Sequence, residues 1–261
     1  MGQLSISDIQ SARPESCAIC SHTHVVHVGD KDFGVSGCDH FEGRAIFADY
    51  GVAISYYACR NCNFVFTNAF DHWTSEQWRE HVYNDDYLLA DPPFFSERPA
   101  RNAQLIAGLF HRELPALSIL DVGGGNGQMS EQLRTCGVDV QSHDPIFGNS
   151  AMPRDGCFDL ITSFEVIEHL THERQLEWMH SVTSLLGKSS FARFLLSTEG
   201  RQPHLSVDWW YICPRNGHIS IHSPRSLEIL AARIGMDVVS INPSMHLLFW
   251  KEQQRIAILA A

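Results

Sequence analysis

A carboxylate followed by three alternate glycines, Asp121, Gly123, Gly125 and Gly127 in ILDVGGGNGQMSEQL, is the strongest chemical signal in this chain of 261 residues. An apolar run enters the motif and a helical pattern leaves it, the setting of a loop that binds a nucleotide-like ligand. Glycine lets the backbone turn sharply and lets a ligand approach the main chain. Asp121 stands at the C-terminal end of the strand, where open α/β sheets bind their ligands. The spacing departs from the G-x-G-x-x-G of a dinucleotide fingerprint, in which the helix N-terminus meets a pyrophosphate.

Two C-x-x-C knuckles, Cys17 with Cys20 and Cys59 with Cys62, offer four thiolates, enough to close a tetrahedral structural zinc site. The gap between them is longer than the ~15–20 residues of compact sites and leaves room for a β insertion. A closed site of this kind folds a module too small to hold itself together. A redox pair, or a site that recruits Cys38 or His40, are the competing readings. Cys136, Cys157 and Cys213 read as packed thiols.

The stretch WWYICPRNGHISIHS, residues 209–223, joins aromatic faces to titratable groups. Trp209, Trp210 and Tyr211 could stack on a sugar ring or a base. Arg215, beside Asn216 in an Asn-Gly turn, and Arg225 further on could hold a phosphate or uronate. His218 and His222 alternate with isoleucines, so an extended backbone points both to one side. An imidazole titrating near neutrality suits collection of a proton. We read His218 as general base and His222 as the next candidate, against the plainer reading that histidines and aromatics are packed interior.

The elements that must position these groups follow from pattern. Before residue 75 the chain is rich in Cys, His, Gly and aromatics, and GVAISYYAC and NFVFTN read as short strands. From residue 118 strand and helix alternate through LSILDVG, QMSEQLRTCG, VDVQSHD, FDLITSF, ERQLEWMHSVTSLLG, FARFLLST, SPRSLEILAARIG and MDVVSI. Alternation of this kind predicts an α/β domain with a largely parallel sheet. The expected division is a β module over 1–75, a helical connector or lid over 76–100 and the α/β domain over 101–261. Thirty acidic against nineteen basic residues, a net charge of −11, disfavour a nucleic-acid partner. No apolar run is long enough to span a bilayer and the N-terminus lacks the order of a signal peptide, so a cytoplasmic location is expected.

The glycine loop resembles motif I of the class I S-adenosylmethionine-dependent methyltransferases. The resemblance runs over about residues 100–250. Asp144, in VQSHDP, falls where that family places a carboxylate on the ribose hydroxyls, and FDLITSFEVIEHL is similar to its fourth-strand motif, with Phe164 and Glu165 beside the cofactor. The resemblance implies a Rossmann-like domain with a mostly parallel seven-stranded sheet, although residues 145–157 are too short for a full third strand and helix; Met152 and Asp155 are the adenine-side candidates. A zinc module ahead of such a domain resembles sugar and glycan methyltransferases, and also certain ribosomal-RNA base methyltransferases. The 209–223 stretch is similar to the x-E-H-x-x-x-x-S segment of sugar methyltransferases, with His218 and Ser223 in register and Gly217 where the glutamate would be. Tyr83 and Tyr87 lie in a connector that resembles the one over the pocket in those enzymes. The implied activity is methyl transfer to a hydroxyl of a sugar, nucleotide-sugar or glycan intermediate. O-transfer is preferred over C-transfer because the chain stops at Ala261. An RNA or small-molecule methyltransferase, or a non-catalytic docking protein on a degenerate scaffold, are the alternatives.

Overall fold

A computed structural model describes residues 8–9, 12–95, 97–148, 151–201 and 206–251. The first residues, read for a targeting signal, and the chain end at Ala261 lie outside the described residues. The strands are β1 (Val25–Asp32), β2 (Ala53–Cys59), β3 (Val65–Phe66), β4 (Ser118–Val122), β5 (Asp139–His143), β6 (Leu160–Phe164), β7 (Arg193–Ser197), β8 (Ser220–Ile221), β9 (Met236–Asn242) and β10 (Met245–Trp250). The helices are α1 (Cys38–Glu42), α2 (Ser75–His81), α3 (Tyr87–Ala90), α4 (Arg98–Leu109), α5 (Gln128–Thr135), α6 (Gln175–Thr183) and α7 (Pro224–Arg233). Among the described residues no helix is long and apolar enough to cross a membrane.

The chain forms two compact units, one of residues 1–92, 167–176 and 199–230, the other of 93–166, 177–198 and 231–261. Both are discontinuous, unlike the consecutive division at 75 and 100, because later segments return to the first unit. Strand β8 is the clearest case: two residues of the aromatic and histidine stretch pair antiparallel with β3, Val65 against Ile221 and Phe66 against Ser220. The first unit therefore carries an antiparallel sheet in the order β1-β2-β3-β8. Its centre is aromatic, with Phe33, Tyr56, Phe64, Phe66 and Phe70 all buried.

The second unit holds a six-stranded sheet in the order β5-β4-β6-β7-β10-β9. Strands β5, β4, β6 and β7 are parallel, and β10 alone runs opposite, between β7 and β9. The seventh strand of the expectation is absent among the described residues, for the reason its sequence already contained: the chain from β5 to β6 is too short for an extra strand and crossover. Since β5 and β6 lie on opposite sides of β4, the sheet reverses its direction of growth there, the place where open α/β sheets bind ligands.

Helices α4 and α5 cover this sheet with Ala103, Ile106, Met129 and Leu133, which pack with Ile119, Val140, Leu160 and Leu195. Leu195 is fully buried in that cluster. Leu195→Ala should lower stability by about 2–5 kcal/mol, the usual cost of a buried cavity, read from the midpoint of a urea transition.

Candidate functional site

The turn from β4 to α5 is set by local chemistry. Gly123, Gly125 and Gly127 take positive φ (78°, 58° and 82°), and Gly127 stands at the N-cap of α5. Gly124, which the D-x-G-x-G-x-G spacing passes over, is the most confined of the four. A Cβ there would run into the Asp121 carboxylate and the Ser142 hydroxyl. The run GGG was the available signal for it.

A cleft opens at this turn. Asp121, Gly123, Gly125 and Phe164 line it, joined by Gly124, Asn126 and Met129 and by Phe94, Arg98 and Asn102 from α4 and its approach, whereas Gly127, Asp144 and Glu165 are not among the lining residues. Phe94 and Arg98 come from the stretch read as a connector and Asn102 from just beyond it, and nothing in their sequence pattern marks them. Met152 and Asp155 are not among the lining residues.

Asp121 is 2% exposed and accepts hydrogen bonds from the Thr162 hydroxyl at 2.9 Å and the Ser130 hydroxyl at 3.3 Å. Burial pushes its carboxyl up to about 7; the two hydroxyls oppose the rise and the charge of Asp144 adds to it. Asp144 accepts the N–H of Gly125 at 2.9 Å on one oxygen, and the N–H groups of Ile146 and Phe147, both at 2.8 Å, on the other. Three of the roughly four acceptor positions of a carboxylate are thus used within the loop, and one is left over. Glu165 leaves β6 in the left-handed region at φ 54°, where a non-glycine residue is strained. Ser197 holds it there: the Glu165 N–H reaches the Ser197 hydroxyl at 3.0 Å, and that hydroxyl donates to the Glu165 carboxylate at 2.7 Å.

A family model described as methyltransferase domain matches residues 94–241, more than half of the chain. The chain belongs to the methyltransferase domain family. It is an S-adenosylmethionine-dependent methyltransferase. No curated protein matches it. Solved structures similar to it include the magnesium protoporphyrin IX methyltransferase of Synechocystis with bound S-adenosylmethionine, at 17% identity and TM-score 0.43 over 69% of this chain and 91% of that one. A Burkholderia thailandensis 1,6-didemethyltoxoflavin N1-methyltransferase is similar at 12% identity and TM-score 0.47, over 73% of this chain and 95% of that one. At such distances their acceptors say nothing about the acceptor of this methyltransferase. The residues of the cleft fit its cofactor: the Gly124 cradle admits no side chain, and a buried carboxylate opens on it.

In the other unit the two cysteine knuckles have one geometry. Each is closed by an N–H to carbonyl bond, Ser21 to Cys17 at 2.7 Å and Asn63 to Cys59 at 2.9 Å, with Ser21 and Asn63 both left-handed at φ 59° and 58°. The sulfurs meet at 3.7 Å for Cys17 and Cys62 and at 3.5 Å for Cys20 and Cys59, and all four lie within 4.8 Å of one another. Four thiolates ~2.3 Å from a tetrahedral zinc ion stand ~3.8 Å apart, so the donor set fits that ion. Cys38 and His40 are outside this group.

The methyltransferase's aromatic and histidine stretch is mostly interior, every residue from Tyr211 to Ser223 being buried. Trp209 and Trp210 are half-buried; Lys31 of β1 donates to the carbonyls of Trp209 at 3.2 Å and Ile212 at 2.7 Å. Arg215 is fully buried, with its guanidinium bonded to the Val82 carbonyl (2.9 Å) and Asn84 (3.0 Å) and lying 4.6 Å from the Phe47 ring. Asn216 accepts the Gly37 N–H and donates to the Ala90 carbonyl, both at 3.0 Å. These two side chains hold the fold together where the sequence offered them to a ligand. Arg225 is exposed and pairs with Glu228 at 3.2 Å. Tyr87 is buried and Tyr83 half-buried, their rings 5.1 Å apart.

His222 has both ring nitrogens engaged, by Ser226 at 3.0 Å and Gln175 at 2.7 Å, which makes it a packing histidine in this geometry. His218 differs. Its Nδ1 meets the Tyr211 carbonyl at 2.8 Å, and since a carbonyl only accepts, Nδ1 carries the proton and Nε2 is the basic nitrogen of the neutral ring. Its ring lies 4.9 Å from that of His169 and 4.3 Å from that of Tyr211, whose hydroxyl donates to Glu168 at 2.6 Å.

The raised Asp121 carboxyl has a consequence for stability. Between pH ~4 and about 7 the folded chain keeps a proton that the unfolded chain has lost, so this contribution is complete below pH ~4 and declines as pH rises to about 7. Asp121→Asn should flatten that decline by about 4 kcal/mol across the window in chemical denaturation of the cofactor-free protein.

Proposed function

We propose that the protein transfers the methyl group of S-adenosylmethionine to a hydroxyl of a sugar or glycan intermediate. The observation that carries the transfer is the cleft in which Gly124 has no room for a side chain between Asp121 and Ser142. The turn of residues 123–127 takes the methionyl end of the cofactor, with Asp121 facing its cationic groups. Asp144 offers its remaining acceptor position to the ribose diol, while Phe164 lines the cleft at the end of β6 and the strained Glu165 follows it. When bound, the cofactor supplies an electrophilic methyl for in-line displacement by an acceptor oxygen.

The chain must align that oxygen and receive its proton. Nε2 of His218 is the receiving atom, oriented by the bond from Nδ1 to the Tyr211 carbonyl. The half-buried Trp209 and Trp210 provide flat faces for a sugar ring. Since Arg215 is committed to Val82 and Asn84 and Arg225 to Glu228, neither supports a phosphate, and the reading narrows to an acceptor without one. The net charge of −11 weighs against RNA. The four cysteines hold a structural zinc ion that leaves no open position for substrate.

Purified protein incubated with labelled S-adenosylmethionine should methylate members of a panel of neutral sugars and glycans and leave RNA unlabelled; labelled RNA alone would overturn the acceptor. His218→Ala should keep cofactor affinity within about threefold in a calorimetric titration and lose about 100-fold or more in turnover. Full turnover in that variant removes His218 from the chemistry, and a wild type that takes up no cofactor makes the domain a scaffold. Metal analysis should find one zinc ion per chain, absent in Cys62→Ser together with the native near-ultraviolet circular dichroism.

A further inference from the structure

The cleft at the β4 turn carries both signs of charge. Among the described residues that line it, Asp121 is the one anion and Arg98 the one cation. Asp144 stands outside the lining, so the cation shares its space with the carboxylate assigned to the methionyl end of the cofactor and not with the one assigned to the ribose. A methionyl group presents two opposite charges, an ammonium and a carboxylate. Asp121 answers the first, and the second also needs a partner when it leaves water.

The position of Arg98 follows from packed elements on either side of it. Arg98 opens α4 and Asn102 follows one helical turn later, so the two side chains leave the same face of the helix. Further along, Ala103 and Ile106 are buried against Ile119, Val140 and Leu160 of the sheet, which fixes the helix axis. Ahead of the helix, the Phe94 ring rests on the glycine turn: a Cβ at Gly125 would stand 3.1 Å from its Cζ. The same ring meets that of Phe147 at 5.2 Å, in the turn that Asp144 closes. Arg98 and Asn102 are therefore delivered to the cleft half-buried, whereas Arg101, the other arginine of this helical turn, is exposed and outside the lining.

We infer that Arg98, assisted by the Asn102 amide, holds the α-carboxylate of the methionyl group of S-adenosylmethionine. This deepens the cofactor assignment of the 123–127 turn and rests on it. A guanidinium meets a carboxylate through two parallel N–H bonds, which fixes direction as well as charge. Arg98 has other interactions in the fold, and its five N–H donors allow two to serve the carboxylate beside them. Asn102 adds the N–H donors of its amide. Asp121 and Arg98 then hold the two charged groups on one carbon of the cofactor, and the methionyl chain beyond is aimed so that the sulfonium methyl meets the acceptor in line.

The test is calorimetric titration of the full-length protein with S-adenosylmethionine and with decarboxylated S-adenosylmethionine, which keeps the ammonium and the sulfonium and lacks only the carboxylate. Wild type should prefer the first by about 10- to 100-fold, the worth of a charge-assisted bidentate contact. Arg98→Gln should bind both at close to the wild-type affinity for the decarboxylated ligand, and Arg98→Lys, which keeps the charge without the fork, should fall between. Equal affinities in wild type overturn the inference before any variant is made. An undiminished preference in Arg98→Gln also overturns it, as does a parallel loss for both ligands, the mark of a purely structural arginine. A wild type that takes up neither ligand defeats the cofactor reading itself, a result distinct from uptake of both without preference.

Discussion

The cofactor side of this protein depends on one steric constraint: between the Asp121 carboxylate and the Ser142 hydroxyl there is room for backbone and for nothing else. Because Gly124 passes through that gap, the next residue can turn its N–H to Asp144 at 2.9 Å, which ties the end of β5 to the loop that follows β4. The same carboxylate then closes the turn after β5 with two more N–H groups. Two neighbouring parallel strands are thereby joined at their C-terminal ends by a charge-assisted network, whose bonds are stronger than neutral ones. The cleft is a product of that junction. Helix α4 completes its wall, and the sheet's change of direction at β4 leaves the opening uncovered.

In the other unit the equivalent constraint is the burial of residues 211–223. An arginine with no exposed surface must spend its donors on protein, and Arg215 spends them on Val82 and Asn84 with an aromatic face alongside. Asn216 similarly ties Gly37 to Ala90. Ser223 donates to the carbonyl of Cys62, so the end of this stretch is fastened to the second cysteine knuckle. His218 is consequently held by both ends of its own segment. Precision of that order is what a group must have if it is to meet a proton at a fixed place.

How much of this was legible depends on how local the determining physics is. The β4 turn announces itself in the chain, because positive φ and close approach are conditions only glycine meets cheaply, and alternation of apolar runs gave β4 to β7 and their helices. The cysteine knuckles were legible for the same reason of short-range spacing. The roles of Arg215 and Asn216 were not, since an arginine beside a turn looks the same whether its partner is a phosphate or a backbone carbonyl more than a hundred residues away. Strand β10 and the pairing of β8 with β3 were hidden too, for both rest on contacts between segments far apart in sequence. The grouping of Glu168 and His169 with His218 is of this kind, and only the tertiary fold assembles it.

The cysteine knuckles suit a task different from that of the cleft. Four thiolates saturate a tetrahedral ion and neutralise it to excess, so such an ion has neither an open position nor much Lewis acidity to offer, and its contribution is to folding.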